Sequence, residues 1–255
     1  MGQALMRGLL AQGVSRRALL AADADPVMRS TVQRRFHVRV THDNVAVVRR
    51  CDVVILAVKP QQFPDVLRRI GSHVTRRQVV MSIAAGITLR WLQARLRGVP
   101  VVRIMPNLPA TVGCGFSAIA LGRAAGPRHR AIACAVFGAV GKVVELPERY
   151  FDAVTAVSGS GPAYVFFLVD AWERAARSLG VPSSVASMAI HQTLEGSVQL
   201  LRSAGEPASV LVGNVASKGG TTEAALAVLA KRRVAAHFLE ALRAAARRSR
   251  ELSWS

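Results

Sequence analysis

The chain has 255 residues, 51% of them hydrophobic and 5% aromatic, and a formal net charge of +19. That length leaves room for two domains with a large buried core, and the apolar fraction excludes general disorder. The charge is diffuse: arginine pairs such as Arg16-Arg17, Arg68-Arg69 and Arg247-Arg248 fall near expected helix ends or in connections, with no aromatic residues interleaved, so phosphate attraction without a base-stacking platform disfavours nucleic acid as a partner.

Through the first half, short apolar runs alternate with amphipathic stretches, the pattern of parallel strands joined by crossover helices. Residues 2–12 read as a helix, with Leu5, Leu9 and Leu10 on one face and Gly13 as its stop. A strand at 18–22, a helix after Asp25-Pro26, a short strand at 38–40 and a helix near 44–49 follow. Residues 52–58 form the next strand, whose core from 53 lacks alternation, as expected of a central strand covered on both faces. Further strands are expected at 79–82, 101–105, 116–121 and 142–145, with helices between them. From Pro147 the pattern is helical only, at 152–157, 163–179, 184–201, 224–229 and 234–251. The predicted fold is a Rossmann-like doubly wound α/β sheet over residues 1–147, followed by an all-α domain over residues 148–255.

A Rossmann-type domain opens with a strand, a G-x-G-x-x-G turn and a helix whose N-terminus holds the cofactor pyrophosphate. Met1-Gly2 followed by a helix matches only the end of that fingerprint, with Gly2 as its third glycine. Asp23 lies 21 residues after Gly2, at the end of the next strand, where a carboxylate meets an adenosine ribose hydroxyl. A strand-end cap is the other reading of Asp23. The first strand is therefore expected to be missing, and the natural product to start about ten residues upstream of Met1, the length of one strand and its turn.

In the helical half, Val215 to Thr222 reads V-A-S-K-G-G-T-T. Consecutive N–H groups in a glycine turn, together with the free N–H groups of the next helix, form a donor surface for a small carboxylate or phosphate. Thr221 and Thr222 fall near the start of that helix, with Ser217 facing them across the turn. A glycine turn leading into a capped helix is the structural alternative. Elsewhere, Cys51, Cys114 and Cys134 are widely spaced without a C-x-x-C pair, which suits reduced thiols, and no signal peptide or uninterrupted apolar run of roughly 20 residues is visible. The expected setting is the cytoplasm, with no membrane partner. The six histidines show no metal-ligand spacing, so no metal is expected.

Five motifs in order resemble those of the pyrroline-5-carboxylate reductase family. They are L-A-V-K-P at Leu56 to Pro60, S-I-A-A-G-I at Ser82 to Ile87, V-V-R-I-M-P-N-L-P at Val101 to Pro109, D-A-V-T-A-V-S-G-S-G-P-A-Y-V-F from Asp152 to Phe166, and G-G-T-T at Gly219 to Thr222. The resemblance implies reduction of 1-pyrroline-5-carboxylate to L-proline by NADPH or NADH, the last step of proline biosynthesis. It implies that Thr222 sets its hydroxyl against the imine nitrogen, that Ser217 shares the catalytic role, and that the segment from Val215 through Gly220, Thr221 and Thr222 holds the substrate carboxylate. On the cofactor side it places Asn44, Ala57, Val58 and Lys59 beside the adenosine and ribose, and Ala85, Gly86 and Asn107 near the nicotinamide, in addition to Gly2 and Asp23. It also implies that the helical halves interlock in a homodimer or larger ring.

Asp23 and Asp25 repel a ribose 2′-phosphate and favour NADH; Arg29, or one of the nearby arginines, compensates if the loop folds back. Three departures from the family stand out: the short start, Lys218 where proline is common, and Val212-Gly213 in place of an Arg-Asp pair. They keep two alternatives open, a non-catalytic truncated paralogue and a reductase of another cyclic imine acid.

Overall fold

The structure, a computed structural model, describes residues 1–254. Helix α1 (Gly2–Ala11) is closed by Gly13, whose φ of 85° lies in the left-handed region that glycine enters without a Cβ penalty. Strand β1 (Leu20–Ala22) leads to α2 (Pro26–Phe36), capped by Asp25, whose Oδ1 accepts the Val27 N–H. Strand β2 (Arg39–Thr41) leads to α3 (Asn44–Val48), capped in the same way by Asp43. The α/β part continues through β3 (Val53–Leu56), α4 (Phe63–Ile70), β4 (Val79–Ser82), α5 (Leu89–Arg95), β5 (Val101–Pro106), β6 (Gly115–Leu121), α6 (Pro127–Gly138) and β7 (Gly141–Glu145).

Strand β1 pairs in parallel with β2, and a second ladder runs in the order β3-β4-β5-β6-β7. Among the described residues no ladder joins β1 to β3. A doubly wound sheet without its first strand is interrupted at this point, because that strand stands between these two. The burial of β4 shows how the ladder separates two cores. Val80 faces a cluster with Phe63, Ile70 and Leu92, while Val79 and Met81 face Leu5, Ile104 and Phe137, the two-residue period of a strand covered on both sides.

Two expectations about strands are corrected. Strand β6 runs antiparallel to β5, because residues 107–114 form only a 3-10 turn at Leu108–Val112, too short for the crossover a parallel neighbour needs. Strand β3 ends its ladder instead of being enclosed in it, so Val54 and Leu56 are buried and Val53 and Ile55 only half-buried.

After Pro147 the chain is helical. Helix α7 (Phe151–Val154) passes through a wide turn at Thr155–Gly159, where the Ser160 N–H bonds Thr155 O five residues back, into α8 (Gly161–Ser178). Then come α9 (Ser183–Ala204), α10 (Ala208–Val215), α11 (Thr221–Lys231) and α12 (Val234–Glu251). Two compact units result, residues 1–162 together with the segment from Ala244 onward, and Ala163–Arg243. The continuous helical run Glu148–Ser178 contains an 18-residue window of mean hydropathy 1.2, long and apolar enough by those measures to cross a bilayer. That corrects the expectation that no stretch qualifies: no charged residue stands between Asp152 and Asp170, and the glycines and Pro162 that break the apolar run do not break the helix.

Candidate active site

Strands β3, β4 and β5 are parallel, so the residues following them share one edge of the ladder. Ala57, Val58 and Lys59 follow β3, Ala85 and Gly86 lie in the loop after β4, and Asn107 follows β5. Gly2 brings the start of α1 to the same edge: a Cβ on Gly2 would meet the Ala57 Cβ at 3.7 Å. The first helical bond of α1 is Leu5 N–H to Met1 O, which leaves the N–H groups of Gly2, Gln3 and Ala4 without a helical partner, and no acidic residue stands in that turn. Exposed small residues at Ala57 and Ala85, next to a helix start with free donors, fit the phosphates and flat rings of a dinucleotide. Lys59 is exposed, and its N–H is taken by Gln62 Oε1 at 3.2 Å.

At the end of β1, Asp23 Oδ1 accepts the Asp25 N–H at 2.9 Å. Arg29 Nη1 donates to Asp23 O at 2.9 Å and to Ala24 O at 2.8 Å. The guanidinium therefore folds back onto the backbone carbonyls of this loop. Asn44 opens α3 and lines a small hollow with His42, Asp43, Val45 and Arg69.

Asn107 is held at both ends of its amide. Its Oδ1 accepts the Phe116 N–H at 2.9 Å and its Nδ2 donates to Ser158 Oγ at 3.0 Å. Ser158 lies in the wide turn after α7, which packs tightly: a Cβ on Gly159 would come within 2.6 Å of Met105 Cε. Wide turns of this kind inside helices are frequent at functional sites. Ser158 falls between the helices expected at 152–157 and 163–179, and its neighbours carry no local signal of the contact with Asn107.

In the second unit, Val215 ends α10 and Thr221 begins α11, with the glycine turn between them. Gly219 has φ 70°, and the Gly220 N–H donates to Ser217 O at 3.0 Å. Ser217 Oγ lies 2.5 Å from where a Gly220 Cβ would stand, so the hydroxyl lies against the turn only because position 220 is glycine. The first helical bond of α11 is Ala224 N–H to Gly220 O, which frees the N–H groups of Thr221, Thr222 and Glu223. Thr222 is half-buried, while Ser217 and Thr221 are exposed. One participant escaped motif reading: Glu223 Oε2 accepts the Gly219 N–H at 2.6 Å. An acidic residue three positions into a helix is a recognised cap signal, and it could have been read. Val212 and Gly213 lie within α10, and Lys218 is exposed in the turn.

Among the described residues no group of three His, Cys, Asp or Glu side chains could hold a metal. Burial pushes the Cys51 thiol above its ordinary pKa, the Asp52 charge adds to this, and Arg39 opposes it, which leaves a poor nucleophile.

Known proteins decide the family. Across 253 residues the chain is 38% identical to a pyrroline-5-carboxylate reductase of Synechocystis sp., covering 99% of this chain and 94% of that one. The chain belongs to the pyrroline-5-carboxylate reductase family. A family model described as pyrroline-5-carboxylate reductase dimerisation matches residues 148–252, and one described as NADP oxidoreductase, coenzyme F420-dependent, matches residues 1–86. Among solved structures, a pyrroline-5-carboxylate reductase from Coxiella burnetii superposes with a TM-score of 0.92 at 30% identity, covering 100% of this chain and 95% of that one. The Plasmodium falciparum pyrroline carboxylate reductase, solved with NADP bound, gives 0.90 at 25% identity over the same shares. Family membership agrees with the Rossmann-like sheet followed by a helical dimerisation domain, and with the NAD(P)H-dependent oxidoreductase that the motifs imply.

Proposed function

We propose that this chain reduces 1-pyrroline-5-carboxylate to L-proline with NADPH or NADH. The observation that carries the proposal is the turn from Ser217 to Thr222, where a hydroxyl-bearing glycine turn meets the free N–H groups of α11. Those donors suit the ring carboxylate, and charge-assisted hydrogen bonds of about 1.5–3 kcal/mol each fix its orientation when two or three form together. The Thr222 hydroxyl then hydrogen-bonds the imine nitrogen and polarises the C=N bond; it is too weak an acid to serve as a reservoir of protons. Ser217 supports the carboxylate from across the turn, with Val215 bordering it. A bound NADPH or NADH would supply hydride to the imine carbon, and the ring nitrogen would take its proton from solvent water, directly or relayed through the Thr222 hydroxyl. Gly2 and the start of α1 take its phosphates, Asp23, Asn44, Ala57, Val58 and Lys59 its adenosine half, and Ala85, Gly86 and Asn107 its nicotinamide end.

The same proposal divides the chain at Pro147 and makes the protein a homodimer or larger ring. In the helical unit, Phe166 and Phe167 are 59% and 71% exposed, with Met188 and Val165 also open to solvent, a surface too apolar for a lone helical unit. A second copy covers such a face more economically than a bilayer does, since Asp170, Glu173 and Arg174 follow within α8. A cytoplasmic setting is supported by three cysteines that form no disulfide. Oxidation of NADPH or NADH on addition of 1-pyrroline-5-carboxylate tests the proposal, and folded protein that binds dinucleotide but oxidises none of it rejects the proposal.

A further inference from the structure

The Gly86 loop is held by a part of the chain far from it in sequence. Beyond α12 the Trp254 N–H donates to Gly86 O at 2.7 Å, and Thr88 Oγ1 donates to Trp254 O at 2.6 Å. Ile87 and Trp254 thereby form a short parallel bridge. The Trp254 ring stands edge-on to Trp91 with centroids 5.4 Å apart, and Trp91 stands edge-on to the fully buried Phe63. Thr88 Oγ1 also accepts the Trp91 N–H as the cap of α5, so one hydroxyl joins the loop, the helix and the terminal segment. Leu252 O lies 2.5 Å from where a Gly86 Cβ would stand, and Gly86 has φ 78°. Glycine at position 86 is thus demanded by the segment that crosses it as well as by its own backbone. Just upstream, Ser249 Oγ donates to Asp152 Oδ1 at 2.7 Å and fixes the end of α12 on the same unit.

We propose that Trp254 is a positioning residue for the cofactor, setting the Ala85-Gly86 loop through the Gly86 carbonyl and the Thr88 hydroxyl. This rests on the assignment of Ala85 and Gly86 to the nicotinamide end. A loop tied only at its ends opens locally at little cost. Two hydrogen bonds and an aromatic pair raise that cost and hold the loop in the shape that the nicotinamide meets.

The test compares the full chain with W254A and W254F by two measurements. Amide hydrogen exchange is followed in residues 83–90 and, as a control, in β4 and β5. Dissociation constants are measured for NADPH and for 2′,5′-ADP, which carries the adenosine half alone. The expected result for W254A is faster exchange confined to residues 83–90, NADPH binding weakened about fivefold, the size of one aromatic pair, and unchanged 2′,5′-ADP binding. W254F, which keeps a ring against Trp91, restores both readouts. If W254A does not fold, W254L is read in the same way. Equal weakening of the two ligands, unchanged exchange in 83–90, or faster exchange with unmoved NADPH affinity overturns the positioning role. A wild-type chain that binds neither ligand rejects the dinucleotide assignment itself, and the exchange data then report separately whether Trp254 holds the loop.

Discussion

Asn107 and Ser158 share a hydrogen bond of 3.0 Å, and the same Asn107 amide accepts the Phe116 N–H through its other end. The side chain thereby ties the loop after β5 to the start of β6 and to the turn after α7. Asn107→Ala removes both bonds and leaves the Phe116 N–H without its partner, at about 1–2 kcal/mol. The expected outcome is roughly a tenfold loss in kcat/KM for the cofactor, measured by varying NADPH. Asn107→Asp keeps the acceptor for Phe116 and can accept the Ser158 hydroxyl, so its loss is smaller.

In the glycine turn, the Glu223 carboxylate orders the Gly219 N–H. Glu223→Gln keeps an acceptor there and removes a negative charge beside the anion-binding donors, so the KM for 1-pyrroline-5-carboxylate stays level or falls. Glu223→Ala frees the turn, and KM rises by about fivefold, the cost of one charge-assisted bond partly replaced by water. A titration of substrate at saturating NADPH separates the two variants.

Arg29 folds back onto the carbonyls of Asp23 and Ala24, which brings a cation to the ribose corner that Asp23 and Asp25 otherwise make anionic. Arg29→Ala is expected to weaken NADPH by about fivefold to tenfold, a charged hydrogen bond to the 2′-phosphate, and to leave NADH nearly unchanged. Ratios of kcat/KM for the two cofactors check this. Equal losses for both would assign Arg29 to the fold of the loop alone.

Arg103 is buried, and its Nη1 lies 2.7 Å from Glu148 Oε1, which also accepts the Leu89 N–H at 2.7 Å. The guanidinium covers the Phe151 ring at 4.8 Å. Removing the Glu148 charge with Glu148→Gln leaves the arginine charge buried without its counter-ion, at about 2–3 kcal/mol, discounted because the Glu148 side chain is partly exposed. The melting temperature should fall by about 5–10 °C. Arg68→Ala, at an exposed pair with Asp65, should leave it nearly unmoved.

What the sequence made legible follows from how local each signal is. The strands at Val79–Ser82 and Val101–Pro106, the cap at Asp25 and the turn ahead of Thr221 depend on neighbours within a few residues, and motif and periodicity place them. The direction of β6 depends on the connection before it, since residues 107–114 are too short for a crossover. Helix α10 was hidden because Val210, Val212, Gly213 and Asn214 are poor helix formers, held helical here between Pro207 and the glycine turn. The Asn107–Ser158 bond and the Trp254 bridge join residues 51 and about 167 positions apart, and no period or motif carries such a pairing. Glu223 differs from these, since its cap signal was local.

The most direct test is 1-pyrroline-5-carboxylate-dependent oxidation of NADPH and NADH by the wild-type chain and Thr222→Ala side by side. Wild type is expected to form L-proline, and Thr222→Ala to lose about a hundredfold or more in turnover, the size of a lost polarising contact, with NADPH affinity unchanged. Turnover by Thr222→Ala equal to wild type, or no proline from folded wild-type chain, would contradict this role of Thr222.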